Sequence, residues 1–264
     1  MPEDLSGLGG EALRVARRDA VAIVTLCRPA KRNALDDGMI LGLERIARNL
    51  PDDVGALVIA AEGDHFCAGL DLAELTQRDA PAGMLHSRMW HRAFQEIEFG
   101  RVPVVAALKG AVIGGGLELA LSAHLRVAEP SAFYALPEGQ RGIFVGGGAS
   151  VRLPRLIGVS RMRDMMLTGR VHDAESGERL GISHYLAAAG EGLETAIRLA
   201  ARAAENAPLT NYALIHALPR IAEADPATGY LTEALMTAVA QSDAEAKRRL
   251  AEFLEGRARK VRRE

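Results

Sequence analysis

A glycine run followed by a glutamate gives the first indication of chemistry in this chain. Gly114, Gly115 and Gly116 follow an apolar stretch, and Glu118 lies in the first turn of the helix predicted after them. Glycines let the backbone turn tightly and leave room for another group to approach it. The first N–H groups of a helix are unpaired donors, and the helix dipole favours negative charge beside them. A carboxylate near such donors could transfer a proton while they stabilise an oxyanion. On this stretch alone, an alternative explains the residues equally well. The glycines would form a turn before a surface helix, and Glu118 would only stabilise the helix dipole.

A second carboxylate and a second glycine-bearing loop lie elsewhere in the chain. Glu138 follows Pro137, and the loop Phe66-Cys-Ala-Gly-Leu-Asp-Leu72 opens into a predicted helix. The sequence has no G-x-G-x-x-G dinucleotide fingerprint after a strand, no P-loop with Lys-Ser/Thr, no H-E-x-x-H and no G-x-S-x-G. Its histidines are scattered and its two cysteines are isolated, so no metal site is predicted. His65, beside the loop, is the one histidine that warrants inspection.

The composition of the 264-residue chain limits its partners. The formal net charge is −2, so no global field attracts nucleic acid or an anionic membrane surface. Two cysteines do not suggest a disulfide framework and fit a reducing compartment. The acidic N-terminus shows no signal-peptide pattern, and no apolar run reaches transmembrane length. We therefore expect a cytoplasmic protein with a small-molecule substrate, no nucleic-acid partner and no membrane partner.

Hydrophobic periodicity predicts an α/β fold followed by helices only. Strands are predicted at 13–17, 20–26, 56–61, 104–108, 125–128 and 132–136. Helices are predicted after a cap at Asp36 or Asp37, over 83–99, around Glu118 and after a cap at Ser160. From residue 191 onward the pattern is helical, and Ser242-x-x-Glu245 is typical of a capping box for the last helix. We predict an α/β region over 1–190 and an all-α region over 191–264.

Seven short motifs, taken together, resemble those of the enoyl-CoA hydratase/isomerase (crotonase) family. The resemblance covers nearly the whole chain. It rests on R-P-x-x-x-N-A-L at 28–35, F-C-A-G-L-D-L at 66–72, G-A-V-I-G-G-G-L-E-L-A at 110–120, L-P-E at 136–138, R-L-P-R-L-I-G at 152–158, L-T-G-R at 167–170 and F-L-E-G-R at 253–257. One such motif alone would be weak evidence, whereas seven in this order are specific.

The resemblance implies both a fold and an assembly. The fold is a ββα superhelix, and its C-terminal helical region packs subunits into a homotrimer, often paired as a hexamer. The apolar residues of that region look too extensive for a small all-α segment to bury within itself, which favours the same assembly; they are Leu193, Ile197, Leu214, Ile215, Leu231, Leu235 and Leu250.

The resemblance also implies an acyl-CoA thioester substrate, as in fatty acid metabolism, whose oxygen is held by two backbone N–H groups. By position these donors are the N–H groups of Leu70 and Gly115. Fixed donors aimed at the oxygen of a thioester enolate lower the barrier to forming it. No metal or other cofactor is implied.

The reaction implied by the resemblance depends on two glutamates. Hydratases of the family carry both, and glutamate stands at both positions here, as Glu118 and Glu138. Glu118 would activate the water that attacks Cβ, and Glu138 would deliver the proton to Cα. Like charges in an apolar site push pKa values apart, which suits one acid and one base. We predict syn hydration of a trans-2-enoyl-CoA to the 3-hydroxyacyl-CoA.

Other activities remain open on the sequence. Double-bond isomerisation or retro-aldol cleavage could run on the same scaffold, although isomerases often keep only one of the two glutamates. A non-catalytic acyl-CoA-binding protein could share the fold as well.

The resemblance further implies residues that contact CoA or the acyl chain. They are Arg28, Lys31, Ala68, Gly69, Asp71, Leu72 and Gly114. The chain departs from the family at Val145, where proline is usual, at Gly148-Ala149, where Gly-Gly is usual, and at Leu70, where alanine is commoner. These departures fall near the acyl pocket and its entrance, so the acyl chain itself is not predicted.

Overall fold

A hairpin begins the main β-sheet in the computed structural model, which describes residues 5–71 and 79–257. Strands β1 (Leu13–Arg18) and β2 (Val21–Leu26) pair antiparallel, with Leu13 opposite Leu26. Asp19 in the turn has a φ of 50°, a left-handed conformation that aspartate tolerates better than most residues. The strands predicted at 13–17 and 20–26 are confirmed.

Parallel strands extend this sheet, and a smaller sheet forms beside it. The other strands are β3 (Ala56–Ala61), β4 (Val104–Leu108), β5 (Ala111–Ile113), β6 (Leu125–Ala128), β7 (Phe133–Ala135), β8 (His172–Asp173) and β9 (Tyr185–Leu186). In the described ranges the main sheet has the order β1-β2-β3-β4-β6-β9 and is parallel from β2 onward. The smaller sheet has the order β5-β7-β8. β3 and β4 are buried along their whole length, as expected for strands of a parallel sheet covered on both faces.

Helices pack around these sheets. They are α1 (Asp37–Arg48), α2 (Ala80–Glu98), α3 (Gly115–Ser122), α4 (Ala149–Ile157), α5 (Val159–Thr168), α6 (Ala174–Leu180) and α7 (Gly192–Ala204). The Asp36 carboxylate accepts the N–H of Met39 and so caps α1. The Asp79 carboxylate accepts the N–H of Ala82, so α2 begins earlier than the predicted residue 83.

Two apolar clusters hold this part of the chain together. The larger one includes side chains of α1, α2 and α3 packed against one face of the main sheet. The smaller one joins the opposite face to α7, where Ile197 and Leu199 are buried together with Val58 and Val105. Ile197 therefore belongs to the core of the subunit, which corrects its assignment to an intersubunit face.

The chain divides into two compact units, of which the first ends at Ala204 and the second begins at Glu205. The predicted boundary at residue 190 lies before α7, whereas the first unit includes α7 because this helix covers the sheet. The second unit consists of α8 (Pro208–Tyr212), a π-helical turn (Ala213–Ala217), α9 (Leu218–Glu223), α10 (Pro226–Ser242) and α11 (Ala244–Leu254). The helices found in the described ranges are each too short or too polar to cross a bilayer. The α/β fold class is as predicted.

Two predicted helix caps are wrong. α5 begins at Val159, so Ser160 lies inside the helix and Gly158 precedes it. Asp243 caps α11 by accepting the N–H of Ala246, whereas Ser242 ends α10 and donates its hydroxyl to the Val239 carbonyl. Serine and aspartate cap helices about equally well. Because α10 extends through Ser242, the next residue is the one that can cap.

Candidate active site

A cavity of about 400 Å³ opens between α2, the loop that follows β3, the start of α3 and the segment that follows β7. Its lining includes Ala68–Leu70, Ile113–Gly115, Gly83, His86, Ser87, Trp90, Glu118, Glu138, Arg141 and Ile143–Gly147. Three of the seven motifs, those at 66–72, 110–120 and 136–138, therefore meet at one place. Clefts of this size, apolar with a few convergent polar groups, are the usual form of a small-molecule site.

Two glycines shape the backbone at the start of α3. Gly114 has a φ of 54°, and a Cβ placed on it would lie 2.6 Å from Oε1 of Glu138. A Cβ on Gly115 would lie 2.8 Å from the Trp90 ring. Side chains at these two positions would collide with Glu138 and Trp90. The glycines thus let the helix start approach both the carboxylate and the indole.

The loop after β3 runs alongside β5 and brings Leu70 next to Gly115. The N–H of Leu35 donates to the Gly69 carbonyl at 2.8 Å, and the N–H of Asp71 donates to the Leu35 carbonyl at 2.8 Å. In such a parallel bridge the residue between, Leu70, directs its own N–H to the other side. That side faces α3, because a Cβ built on Gly115 would lie 3.5 Å from the Leu70 nitrogen.

The N–H groups of Leu70 and Gly115 are therefore neighbours that border the cavity. Neither donates a hydrogen bond to an acceptor in the described residues. Gly69, with a φ of 98°, allows the close approach, since a Cβ there would lie 2.9 Å from the Ile113 carbonyl oxygen. Two convergent, unoccupied backbone donors in a recess can bind the oxygen of a thioester and stabilise it as an oxyanion.

Glu118 is held by the backbone at the start of α4. Its side chain is buried, with 3% of the residue exposed. Oε1 accepts the N–H of Gly147 at 2.8 Å and the N–H of Ala149 at 3.0 Å. Burial raises the pKa of Glu118, whereas these N–H groups and the positive charge of Arg152 act in the opposite direction. The net effect is a raised pKa. Because N–H donors stabilise the ionised form, they favour Glu118 as the proton acceptor of the cavity.

Glu138 lies in a less polar environment. It is 8% exposed, and its Oε2 is buried without a hydrogen-bond partner in the described part of the chain. Burial, with a further contribution from the charge of Glu118, raises the pKa of Glu138 to about 7. A carboxyl group with such a pKa holds a proton for part of the time near neutrality and can donate it. The cavity thus contains one anchored carboxylate and one poised acid, an arrangement that suits paired proton transfers.

The residues assigned to substrate binding fall into two groups. Ala68, Gly69 and Gly114 line the cavity with Leu70 and Gly115. Arg28, Lys31 and Asp71 do not line it; they form an ion-pair cluster beside the loop. The Arg28 guanidinium lies 2.7 Å from Asp71 Oδ2 and 2.8 Å from Asp36 Oδ2, and the Lys31 ammonium lies 2.9 Å from Asp71 Oδ2. Leu72 lies outside the described residues. Contacts of Arg28 and Lys31 with CoA stay a prediction.

His65 has a structural position. Its Nδ1 accepts the N–H of Ala111 at 3.0 Å, and its carbonyl accepts the side-chain amide of Asn33 at 2.8 Å. Both bonds tie the loop after β3 to its neighbours. Across the described residues, no three His, Cys, Asp or Glu side chains come together in a way that could hold a metal ion.

Sequence reasoning missed several residues of the cavity. On α2, His86 Nε2 lies 2.7 Å from Asp37 Oδ1, and Ser87 donates its hydroxyl to the Gly146 carbonyl at 2.6 Å. Trp90 packs edge-on against Phe94, with ring centroids 5.7 Å apart. The sequence predicted the helix that carries Trp90, but only the fold shows that Trp90 borders a cavity. Hydrogen bonds from α2 to the segment at 146 have no sequence signal.

The segment between Glu138 and α4 forms the apolar wall of the cavity. Val145, at the position where the family usually has proline, is buried in this wall, whereas Phe144 is 70% exposed at its edge. Ile143 is exposed beside it. These three side chains place apolar surface where an acyl chain could lie.

The sequence and the structure were compared with known proteins. Residues 16–262 match the family model described as Enoyl-CoA hydratase/isomerase. A protein of Bacillus subtilis (strain 168) named for enoyl-CoA hydratase/isomerase, YngF, is 31% identical over 229 residues, 86% of this chain and 88% of that protein. The fatty acid oxidation complex subunit alpha of Shewanella frigidimarina is 36% identical over 198 residues, 72% of this chain but only 28% of that longer protein. A solved structure from Rhodopseudomonas palustris CGA009, named for enoyl-CoA hydratase, is 59% identical, with a TM-score of 0.91 over 93% of this chain and 95% of that chain.

Proposed function

The chain belongs to the enoyl-CoA hydratase/isomerase family and has its fold, and we propose that it is an enoyl-CoA hydratase. It would add water in a syn fashion across the double bond of a trans-2-enoyl-CoA and release the 3-hydroxyacyl-CoA. The observation that carries this proposal is that two glutamates with different environments border the same cavity as two backbone N–H groups that donate to no acceptor in the described residues.

The thioester oxygen would accept hydrogen bonds from the N–H groups of Leu70 and Gly115. These donors stabilise the enolate that forms when a nucleophile adds to Cβ, because negative charge then develops on that oxygen. The stabilisation is greater in the transition state than in the ground state, which is the condition for raising kcat. The donors are fixed in the fold, so they need little rearrangement during the reaction.

The two glutamates divide the proton transfers. Glu118, whose carboxylate form is stabilised by backbone N–H groups, takes a proton from the water as its oxygen bonds to Cβ. Glu138, protonated in part near neutrality, gives its proton to Cα as the enolate collapses. Water is consumed, the C=C bond becomes a single bond, and exchange with solvent restores both side chains to their starting states.

Isomerisation is the second candidate, and one observation favours it. Glu138 Oε2 has no hydrogen-bond partner among the described residues, and its pKa is near 7. A single carboxyl group of this kind can take a proton from one carbon and return it to another. Hydration remains the proposal because the second glutamate, Glu118, is also present and borders the cavity.

Three further properties follow for a hydratase of this kind. Its substrate would be an acyl-CoA, as in fatty acid oxidation. One of the longer relatives is named for that process. Neither step of the proposed reaction uses a metal or a redox cofactor. We also propose that the protein assembles as a homotrimer or as a pair of trimers.

The reaction is tested by offering pairs of 2-enoyl-CoA and 3-enoyl-CoA with matched chain lengths, including short, long and aromatic acyl groups. We expect loss of the conjugated enoyl thioester absorbance and formation of 3-hydroxyacyl-CoA, at a rate above any isomerisation. Release of a free aldehyde would indicate retro-aldol cleavage instead. A protein that turns over none of the substrates, and that binds an enolate-analogue thioester no more tightly than a saturated acyl-CoA, would be a binding protein.

A further inference from the structure

A buried arginine lies behind the backbone segment that holds Glu118. Arg152, on α4, is only 9% exposed. Its Nε and Nη2 donate to Glu98 Oε2 at 2.8 Å and 2.6 Å, and its Nη1 donates to the Gly147 carbonyl at 2.9 Å. Buried charges are normally paired in this way. The guanidinium therefore joins the end of α2 to the segment that precedes α4.

The same segment supplies the donors for Glu118. Arg152 binds the carbonyl of the peptide that links Gly147 to Gly148. In a trans peptide the N–H points away from the carbonyl, so the Gly148 N–H is directed away from Arg152. That N–H, with those of Gly147 and Ala149, lowers the pKa of Glu118 against the effect of burial. The arginine and the glutamate thus lie on opposite sides of one stretch of backbone.

Two glycines make this arrangement possible. Gly148 has a φ of 108°, and a Cβ there would lie 2.4 Å from Arg152 Nη1. A Cβ on Gly147 would lie 2.7 Å from Glu118 Oε2. The guanidinium and the carboxylate therefore occupy the space that side chains at these two positions would fill.

Besides Glu118, the ionisable groups that line the cavity in the described residues are Glu138, His86 and Arg141. Glu138 faces Glu118 across the cavity and is coupled to its charge. On α2, Glu98 and His91 are near Arg152. Burial lowers the pKa of His91, and the charges of Arg88 and Arg152 lower it further. Cys67, under Gly116, has a pKa raised by burial to about 12 and stays neutral. The positive charge of Arg152 lowers the pKa of Glu118.

We propose that Arg152, oriented by Glu98, is a positioning residue for Glu118. It fixes the backbone from Gly147 to Ala149 so that the N–H groups hold Oε1 and stabilise the carboxylate form, with Oε2 left for the water. The proposal rests on the proposed function, in which Glu118 acts as the base.

The test replaces Arg152 by methionine, which keeps much of the volume and removes the charge and the hydrogen bonds, and by lysine, which keeps the charge alone. We expect R152M to lower kcat by about 10- to 100-fold with a smaller change in KM, because displacing a catalytic group removes part of the rate enhancement that it provides. Less Glu118 is ionised at a given pH without the arginine, so the acidic limb of the kcat/KM profile should move to higher pH. The kcat and the pH profile of R152K should lie between those of R152M and the parent. If R152M does not fold, R152K alone provides the test.

Two measurements separate positioning from a structural effect and from failure of the proposed function. The control, R163M, changes an exposed arginine on α5 and should leave the pH profile unchanged. NMR titration of isotopically labelled glutamate carboxyls, with the Glu118 signal assigned from E118Q, needs no substrate. R152M and R152K should raise the pKa of Glu118 whichever reaction the protein catalyses. A folded variant with an unaltered Glu118 titration and a uniform loss of activity at all pH values would overturn the proposal.

Discussion

Glu118 and Glu138 are the same residue type in one cavity, yet the chain gives them different environments. Glu118 accepts two backbone hydrogen bonds, whereas Oε2 of Glu138 accepts none within the described ranges. The sequence located both glutamates through their motifs. It could not assign the acid and the base from physical grounds, because the difference arises from backbone N–H groups and burial that only the fold creates.

The raised pKa of Glu138 has a consequence for stability. The carboxyl group binds protons more tightly in the folded state, where its pKa is about 7, than in the unfolded state, where the pKa is 4.5. Its contribution to stability is therefore fully present only at a pH below the pKa of the unfolded state. That contribution is lost as the pH rises through about 7. One pKa unit is worth about 1.4 kcal/mol, so the difference amounts to roughly 3 kcal/mol at most.

We therefore expect Glu138→Gln to be more stable than the parent at about pH 8 and not at about pH 4. Denaturant unfolding of both proteins across this range measures the effect. A constant difference in unfolding free energy between the two proteins at every pH would show that the pKa of Glu138 is not raised.

At the scale of elements, the chain builds its site by bringing loop and helix backbones unusually close together. The glycine motifs were visible in the sequence, and so was the helix that follows them. The connection between Arg152 and Glu98 was not, because the two residues are 54 positions apart and the motif that begins at Arg152 does not indicate its partner. The wrong caps at Ser160 and Ser242 have a similar cause, since the extent of a neighbouring helix decides which residue caps.

Gly148 offers a test of this close packing. Gly148→Ala should destabilise the protein by more than Gly142→Ala, and it should also lower the activity. Both glycines have a positive φ, 108° and 70°, but only a Cβ at Gly148 would meet Arg152; a Cβ at Gly142 would meet nothing within 4 Å. The strain shared by both variants is of the order of 1–3 kcal/mol.

Thermal unfolding and steady-state kinetics on both glycine variants provide the measurement. The loss of stability and activity in Gly148→Ala beyond that in Gly142→Ala reports the displacement of the Arg152 guanidinium. Equal losses in the two variants would mean that Arg152 can move aside without consequence.

At the scale of the whole molecule, the second unit exposes more apolar surface than a soluble appendage normally does. Leu231 and Leu235 on α10 are exposed, and so are Leu250, Phe253 and Leu254 on α11. Apolar patches of this kind mark interaction sites. They agree with the proposed trimer, although α7, predicted to share in that assembly, instead covers the sheet through Ile197.

We expect light scattering at micromolar concentration to give the mass of a trimer or of a pair of trimers. Leu235→Glu should shift the protein towards smaller species, because a charge placed in an apolar interface loses its hydration. Gln241→Glu, at an exposed position of the same helix, adds the same charge and should leave the mass unchanged. A monomeric parent would refute the assembly.

The absence of a metal or redox step from the proposed mechanism is also testable. Activity should survive prolonged treatment with EDTA and should need no added NAD or flavin. If chelation abolished the activity and a divalent metal restored it, the reaction would depend on a metal site that the proposed mechanism does not contain.

The central claim is that Glu118 and Glu138 together catalyse hydration, and Glu→Gln substitution at each position tests it most directly. Glutamine keeps the size and much of the hydrogen bonding but removes the proton transfer. Each single variant should lose about 10²–10⁴-fold in kcat, the usual worth of a positioned acid or base. The double variant should lose much less than the product of the two single losses, because residues that act as a unit are not additive.

Binding of a saturated acyl-CoA, measured beside the kinetics, should change little, since the proposed donors to the thioester are backbone N–H groups of Leu70 and Gly115 that neither substitution removes. The account predicts that both single variants fail in hydration while they still bind the thioester. A folded Glu118→Gln variant that hydrates 2-enoyl-CoA at the parent rate, with only Glu138→Gln impaired, would contradict it and would favour isomerisation through Glu138 alone.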